Sequence, residues 1–403
     1  MRRPLILVAV SLGAGGLLFA DEARDTASDD RVSRLEQRIA EMQSAYEQRI
    51  AALEAEVSAL KAAQGTAEAP EAPPLAAAPA PSANYFKPSV AVIGNFLGVA
   101  GSNETENLPS AELREAELAL QAVVDPYARA EFFFSFGEEG VEIEEGEVSF
   151  TALPWGLLAK VGRMRTAFGK TNTLHLHALP WPDEPLPIVN LLGGEEGWIG
   201  SGFSIAKLIP LGDVFSELTA QVFRGDAENL FSAPSRNDLA YNGHYRVFSD
   251  LSESTNLDVG LSYGFGPNGL TEQSDTQLEA VDVTFRWKPL RSAAYRSASL
   301  RGEFLRSRRE DPLGTQNADG WLLSGEYQLA RRWFLGARYE RSDRADDAAL
   351  TDRGQALILT FWPSEFSQLR GELRRRHYAE GETADEALLQ VQFGIGAHGA
   401  HPF

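Results

Sequence analysis

The amino-acid sequence predicts an all-β fold, a transmembrane antiparallel β-barrel of about sixteen strands that follows an N-terminal α-helical coiled-coil arm. Three observations predict this fold. Residues 1–20 have the composition of an export signal, the segment after them repeats apolar residues at coiled-coil spacing, and apolar and polar residues alternate from residue 85 onward. We therefore divide the chain into a signal peptide (1–20), a coiled coil (31–62), an Ala/Pro-rich linker (63–84) and a barrel (85–403).

The composition of the whole chain excludes several functions. The 403 residues include no cysteine, which excludes disulfide frameworks and thiolate metal sites. The formal net charge is −20, and nucleic-acid binding instead needs clustered lysines and arginines that replace phosphate counterions. We expect no nucleic-acid partner, and an acidic surface that faces membrane lipid and lipopolysaccharide with its divalent cations.

Residues 1–20 predict a secretory signal peptide. Arg2 and Arg3 precede an apolar stretch over residues 5–19, and Ala20 is a small residue at the expected cleavage point. The alternative is an uncleaved anchor helix, but the apolar stretch is short for a bilayer span of about 20 residues and glycines interrupt it. We predict export with cleavage after Ala20.

The coiled coil and the linker come next. Apolar residues from Val32 to Leu60 follow one another at intervals of three and four, as at the a and d positions of a heptad. One interval of three is missing between Tyr46 and Ile50, a stutter that locally unwinds a supercoil. We predict that the arm self-associates, and a single amphipathic helix on the barrel mouth is the alternative. The alanines and prolines of the linker favour an extended, semi-rigid spacer.

Residues 257–265 illustrate the alternation in the barrel segment. Leu257, Leu261 and Phe265 share one face, whereas Asp258 and Ser262 lie on the other. We predict that the apolar face meets lipid and that short turns, which alternate with long loops, lie on the periplasmic side beside the arm. A soluble β-sandwich has the same periodicity. The export signal, the Trp and Tyr residues near strand ends and the terminal phenylalanine favour the membrane barrel.

If the apolar face meets lipid, the charged residues of the other face line the pore. Early strands then carry an acidic arc of the wall and late strands a basic arc. The predicted pore-lining residues are Glu115, Glu117, Glu131, Glu145 and Glu147 on the acidic arc, and Arg301, Arg338, Arg370, Arg374 and Arg376 on the basic arc. Opposed arcs create a transverse field that orients polar solutes and disfavours apolar ones. The alternative is that these charges only solvate the wall and pair across strands.

A long connection, residues 170–198, follows the fifth predicted strand and contains apolar residues such as Leu186 and Ile188. A long loop of this kind is expected to pack rather than to extend into water, so we predict that it folds inward and narrows the pore. Its predicted constriction residues are His175, His177, Asp183 and Glu184. Imidazole and carboxylate groups suit Zn²⁺, which makes His175 and His177 candidates for a metal site, although the sequence identifies no third ligand.

The sequence contains no recognisable catalytic or cofactor motif. It lacks a Gly-x-Ser-x-Gly elbow, a His-Glu-x-x-His helix and a phosphate-binding Gly-rich loop followed by lysine. We therefore expect no enzyme activity and no cofactor.

The segment before the long loop reads Leu158-Ala-Lys-Val-Gly-Arg-Met-Arg-Thr-Ala-Phe-Gly169, and the chain ends on Phe403. With the order of signal, heptad arm, proline linker and barrel, these features resemble the outer-membrane porins of the phosphate-selective O and P type and the coiled-coil-armed porins related to them. The resemblance covers most of the chain and implies a trimeric channel of about sixteen strands whose third loop constricts the pore.

In the phosphate-selective members, lysines and arginines line the path. Lys160, Arg163 and Arg165 match this pattern, but they cannot all share a face without a bulge. The many lumen glutamates also depart from it.

The ending Gly-Ala-His-Gly-Ala-His-Pro-Phe further resembles proteins labelled zinc-regulated TonB-dependent outer-membrane receptors, although energised receptors use a larger barrel with an N-terminal plug.

We predict that the chain is an outer-membrane porin, a passive diffusion channel for small polar or charged solutes with its arm in the periplasm. One alternative is an outer-membrane receptor or channel for zinc or another divalent metal. Another is a barrel-anchored structural protein whose coiled coil tethers peptidoglycan or a periplasmic protein. We expect a homo-oligomer through barrel and coiled coil. The resemblance implies a trimer, whereas Ile and Val at a with Leu at d favour a two-stranded coil, and the sequence leaves both open.

Overall fold

The computed structural model describes residues 88–137, 140–227, 229–271 and 273–396. The predicted signal peptide (1–20), coiled coil (31–62) and linker (63–84) lie outside these residues. Among the described residues, no helix is both long enough and apolar enough to span a membrane.

The described part of the chain forms a closed antiparallel β-barrel of sixteen strands. Each strand pairs with the next along the chain, and the last pairs with the first, with Ala91 opposite Gly396. The strands, numbered β1 to β16 in chain order, are Ser89–Ser102, Ala111–Asp125, Ala128–Gly137, Gly140–Phe150, Leu157–Arg165, Ile199–Leu208, Phe215–Arg224, Leu239–Ser252, Thr255–Pro267, Asp275–Trp287, Ala298–Asp311, Gly314–Ala330, Trp333–Asp343, Thr351–Ser364, Ser367–His377 and Thr383–Gly396. The predicted barrel of about sixteen strands is confirmed.

The two faces of the wall differ in polarity. In β9, Leu261 is 50% exposed on the outer face, whereas Asp258 and Ser262 on the inner face are 1% and 7% exposed. Aromatic residues pair on the outer face, where the ring centroids of Trp333 and Phe361 are 4.4 Å apart. An outer surface rich in exposed apolar side chains is unfavourable in water and suits contact with hydrocarbon chains, as in a membrane barrel.

The connection between β5 and β6, residues 166–198, is named L3. It lies against the inner wall, and its α-helix, α1 (Leu186–Leu191), contacts β11 to β14. Phe168, Leu191 and Trp198 are completely buried and join an apolar cluster that includes Phe223 of β7. Each apolar Å² removed from water stabilises the folded chain by about 25 cal/mol, so the apolar residues of L3 hold it inside the barrel.

Six strand pairs of the described barrel shift register, and two of these shifts are β-bulges that lie away from the turns, where they break the alternation of the wall. In β2 the extra residue is Arg114, where the register with β1 shifts, and in β4 it is Glu144, where the register with β3 shifts. An extra residue in a strand changes the face of the sheet on which the neighbouring side chains lie, so strict alternation no longer predicts it.

Candidate functional site

L3 contacts the acidic arc of the wall through His175. The ring Nδ1 lies 2.7 Å from Glu144 Oε2 and 3.0 Å from Glu117 Oε2, and Nε2 lies 2.7 Å from Glu145 Oε1. Burial opposes the charged ring, but the hydrogen bonds to Glu117, Glu144 and Glu145 hold the pKa of His175 well above its ordinary value. The imidazolium therefore neutralises part of the acidic arc.

His177 extends the same contact along β2. Its Nδ1 lies 3.4 Å from Glu115 Oε1 and 3.6 Å from Glu117 Oε2, and its ring centroid is 5.6 Å from that of His175. The Phe133 ring of β3 packs against His175 at 5.0 Å. Glu117, which is fully buried, thus lies between the two imidazoles.

L3 contacts the basic arc through Asp183. Its carboxylate accepts hydrogen bonds from Arg338 Nη2 at 2.8 Å, from Arg374 Nη1 at 2.8 Å and from Arg376 Nη2 at 2.7 Å. Burial disfavours the carboxylate, but Arg338, Arg376 and Arg374 outweigh it and hold the pKa of Asp183 far below its ordinary range. One loop carboxylate therefore joins three arginines that the strand alternation predicts on the pore wall.

Further acidic groups pair with the same arginines. Glu106, in the loop between β1 and β2, accepts a hydrogen bond from Arg374 at 2.8 Å and also pairs with Arg376. Glu340 Oε1 lies 3.4 Å from Arg338 Nη2. The basic arc is thus largely neutralised inside the barrel, by residues from two loops and from the wall itself.

Additional hydrogen bonds fix L3 to the wall. Thr171 donates from its backbone and its hydroxyl to Glu303 of β11 at 3.1 and 2.5 Å. Trp181 Nε1 donates to Ser324 of β12 at 3.1 Å. Further along L3, the Leu186 backbone N–H donates to Glu340 and the Asn190 amide donates to Asp352.

Glu184, the last predicted constriction residue, is buried beside Asp183. Its backbone carbonyl accepts a hydrogen bond from Arg376 Nη2 at 3.1 Å. Burial raises the pKa of the Glu184 carboxyl to about 8, since the low-polarity surroundings disfavour its charged form. Two adjacent loop acids therefore differ in protonation, with Asp183 ionised and Glu184 protonated at neutral pH.

A cavity of about 590 Å³ lies beside L3 and is lined by residues of the acidic arc. Glu131 pairs with Arg129 at 2.8 Å, and Glu147 pairs with Lys160 at 2.6 Å. Both pairs and His175 line the cavity. The surface of this cavity therefore presents charges of both signs.

The last two predicted pore-lining residues lie apart from the Asp183 cluster. Arg370 donates to the Gln390 side chain at 2.8 Å. Arg301 lines a small second cavity of about 90 Å³, together with Trp181 and Glu303. L3 forms part of the lining of this cavity.

Sequence reasoning missed Arg114 and Glu144. Strict alternation assigns both to the lipid face, yet Arg114 Nη1 donates to the Pro182 carbonyl of L3 at 2.7 Å, and Glu144 contacts His175. The two bulges explain the difference. The adjacent carboxyls of Glu144 and Glu145 were a usable indication, because consecutive residues of a regular strand face opposite sides and a glutamate is disfavoured in lipid.

No family model matches the chain. An uncharacterized protein of Aquifex aeolicus (strain VF5) is 29% identical over 338 residues, which cover 72% of this chain and 70% of that protein.

Solved outer-membrane proteins have a similar barrel. OprB of Pseudomonas putida is 12% identical with a TM-score of 0.55, over 77% of this chain and 94% of its own. The anion-selective porin from Comamonas acidovorans is 13% identical with a TM-score of 0.54, over 77% of this chain and 100% of its own. The trimer form of OmpT of Vibrio cholerae is 10% identical with a TM-score of 0.52, over 76% of this chain and 99% of its own. The chain therefore has the fold of the outer-membrane porins.

Proposed function

We propose that this protein is an outer-membrane channel through which small polar or charged solutes diffuse passively, and that L3 constricts its pore. The observation that carries the proposal is the path of L3. Thr171 contacts Glu303 of β11, and four residues later His175 contacts β2 and β4. In a ring of sixteen strands, β3 and β11 are opposite each other, so this part of L3 runs across the lumen.

The pairing of charges supports a channel of weak ion selectivity. Asp183 neutralises arginines of the basic arc, and His175 neutralises glutamates of the acidic arc. The remaining lining beside L3 carries acid–base pairs such as Glu147 with Lys160. A wall of both signs orients dipoles without excluding one type of ion, so we expect small hydrophilic solutes of either charge to pass.

The location and assembly follow from the outer surface. An apolar outer face suits the lipid and lipopolysaccharide of an outer membrane, and we propose that the N-terminal arm lies in the periplasm. We propose a trimer, which the trimer form of the structurally similar OmpT of Vibrio cholerae supports. Neither phosphate selectivity nor contact with peptidoglycan is part of this proposal.

Reconstitution in planar lipid bilayers tests the channel. The purified full chain should give discrete conductance steps without an energy source. The Glu303→Gln variant, which weakens the acceptor for Thr171, should increase the step size because L3 is released from β11. Arg375→Gln is the control, since Arg375 pairs with Asp385 on the outer face and should leave conductance unchanged.

A correctly folded wild-type barrel that never conducts would contradict the channel itself. Equal conductance of wild type and Glu303→Gln would contradict only the constricting role of L3.

A further inference from the structure

The histidines of L3 and the carboxylates opposite them form two groups with metal-ligand spacing. One group is Glu115, Glu117 and His177, and the other is Glu117, Glu144 and His175. In each group the ligand atoms lie within 4.8 Å of one another. Two ligand atoms of a tetrahedral zinc ion, each at about 2.0–2.1 Å from the metal, are about 3.3 Å apart. The nitrogen–oxygen distances of 2.7 to 3.6 Å are close to that spacing.

The hydrogen bonds of His175 leave its Nδ1 directed at two carboxylates. Nε2 lies 2.7 Å from Glu145 Oε1, and the other Glu145 oxygen accepts the backbone N–H of Arg165 at 3.1 Å. When a cation displaces the Nδ1 proton, the carboxylate that accepts Nε2–H keeps the ring oriented and the Nδ1 lone pair binds the metal, as in carboxylate–histidine–zinc triads. Oxygens of Glu117 and Glu144 both lie within 3.0 Å of that Nδ1, so two carboxylates and one imidazole nitrogen converge on one point.

Buried carboxylate oxygens provide a second, independent observation. Glu115 Oε2 and Glu117 Oε1 accept no hydrogen bond from the residues that the structure describes, although Glu115 is 3% exposed and Glu117 is 0% exposed. Burying a carboxylate oxygen without a partner is costly, and buried charges are paired or coordinate metals. A cation between these residues would give both oxygens a partner.

We propose that a divalent transition-metal cation of the zinc type binds between L3 and the wall, with His175, His177 and Glu117 as ligands and with Glu115 and Glu144 completing the site. Two imidazoles with carboxylates favour zinc-type ions, whereas Mg²⁺ and Ca²⁺ prefer oxygen ligands throughout. The ion joins L3 to β2 and β4, so it stabilises the loop in the lumen. The effect on conductance rests on the proposed channel function, whereas binding itself does not.

Isothermal titration of the purified full chain with ZnCl₂ tests the site. The protein carries no polyhistidine tag, and His398 and His401 are replaced by Gln in every sample, because the C-terminal sequence itself contains imidazoles. His175→Gln and Glu144→Gln should weaken the Kd at least about tenfold. Titration with MgCl₂ should give at least about tenfold weaker binding than ZnCl₂.

Two matched controls accompany these variants. His244→Gln removes a buried histidine that contacts Ser262 and belongs to neither group of candidate ligands. Glu142→Gln changes a half-exposed glutamate two positions from Glu144 on the same strand. Both should leave zinc affinity unchanged. A substitution at a buried position can prevent folding. Glu145→Gln is therefore included as a conservative change in a residue that orients His175. Every variant is also checked for the heat-sensitive migration of a folded barrel.

The proposed metal site would be overturned if the folded wild type did not bind zinc. It would also be overturned if His175→Gln and Glu144→Gln bound zinc with the affinity of the wild type. Zinc should also shift the single-channel conductance of the wild type and not that of His175→Gln. Zinc binding without a change in single-channel conductance would overturn the link between the metal and the constriction, whereas the proposed metal site would stand. A protein that binds zinc and never conducts would instead contradict the proposed channel.

Discussion

The carboxylate of Asp183 lies 2.8 Å from Nη2 of Arg338, and both side chains are buried inside the barrel. The Arg338 guanidinium also lies over the ring of Trp181, 5.1 Å from its centroid. Two residues of L3 thus hold the same arginine of β13. Because Arg338 belongs to the wall and its partners belong to the loop, this contact helps to decide where L3 crosses the lumen.

Asp183→Asn should destabilise the folded barrel by about 3–5 kcal/mol, because it leaves buried arginines without their charged partner. Released arginines should also shift ion selectivity towards anions and increase conductance. Urea unfolding in detergent measures the first effect, and reversal potentials in planar bilayers measure the second. Asp385→Asn, at an exposed pair on the outer face, is the matched control and should change neither. If Asp183→Asn kept the stability and ion selectivity of the wild type, the contact between Asp183 and Arg338 would not hold L3.

Glu184 makes the stability of the barrel depend on pH. Its folded pKa is raised by burial to about 8, from an ordinary value of 4.5. Between these values the folded chain keeps a proton that the unfolded chain has lost, so the stabilisation is complete below pH 4.5 and is lost as pH rises through 8. The free energy of unfolding of the wild type should therefore fall over this range relative to Glu184→Gln.

Thermal unfolding in detergent from pH 5 to about 9, measured for both proteins, checks this expectation. The Glu184→Gln variant keeps the volume of the side chain and removes its titration. Parallel pH profiles for the two proteins would show that the Glu184 carboxyl is not held protonated.

Trp198 at the end of L3 should contribute strongly to stability. Its ring packs against Phe231 at 5.0 Å and Phe168 at 5.8 Å, and it is completely buried. Trp198→Ala should cost about 3–5 kcal/mol, because it leaves a cavity in a close-packed cluster. Trp155→Ala, at a tryptophan that is 84% exposed, is the control and should have little effect in the same urea titration. Equal losses for the two variants would contradict the packing of L3 inside the barrel.

The orientation of the strands can be tested with single cysteines, since the natural chain has none. Glu131 lines the inner cavity, whereas its neighbour Phe132 is 41% exposed on the outer face. In liposomes, a charged, water-soluble maleimide should react about tenfold faster with Glu131→Cys than with Phe132→Cys. A lipid-soluble maleimide should show the opposite order. Similar rates for the two positions would contradict a lipid-facing outer surface.

The sequence predicts the regular wall well and the irregular contacts poorly. Asp258 and Ser262 lie on the inner face of β9 as their alternation predicts, because a regular strand encodes its two faces residue by residue. Arg114 and Glu144 lie inside against the same rule, because each bulge is a property of the pairing between two strands. A period read from one strand cannot show where its neighbour shifts register.

The candidate site divides in the same way. The residues of L3 that would face the pore were recognised as polar groups in a long loop, but their partners were not. Asp183 and Arg376 meet across 193 positions of sequence, and His175 joins two strands through a bulge that only the pairing of β3 with β4 creates.

The sequence by itself determined the strand period, the polarity of each face and the arcs of charge on the wall, because these properties depend on residues near one another in the chain. Closure of β16 onto β1, the path of L3 and the choice of partner for each charged side chain were decided by the tertiary structure alone. The physical reason is distance in sequence: ion pairs and ligand groups form between residues that only the closed barrel brings within a few ångströms.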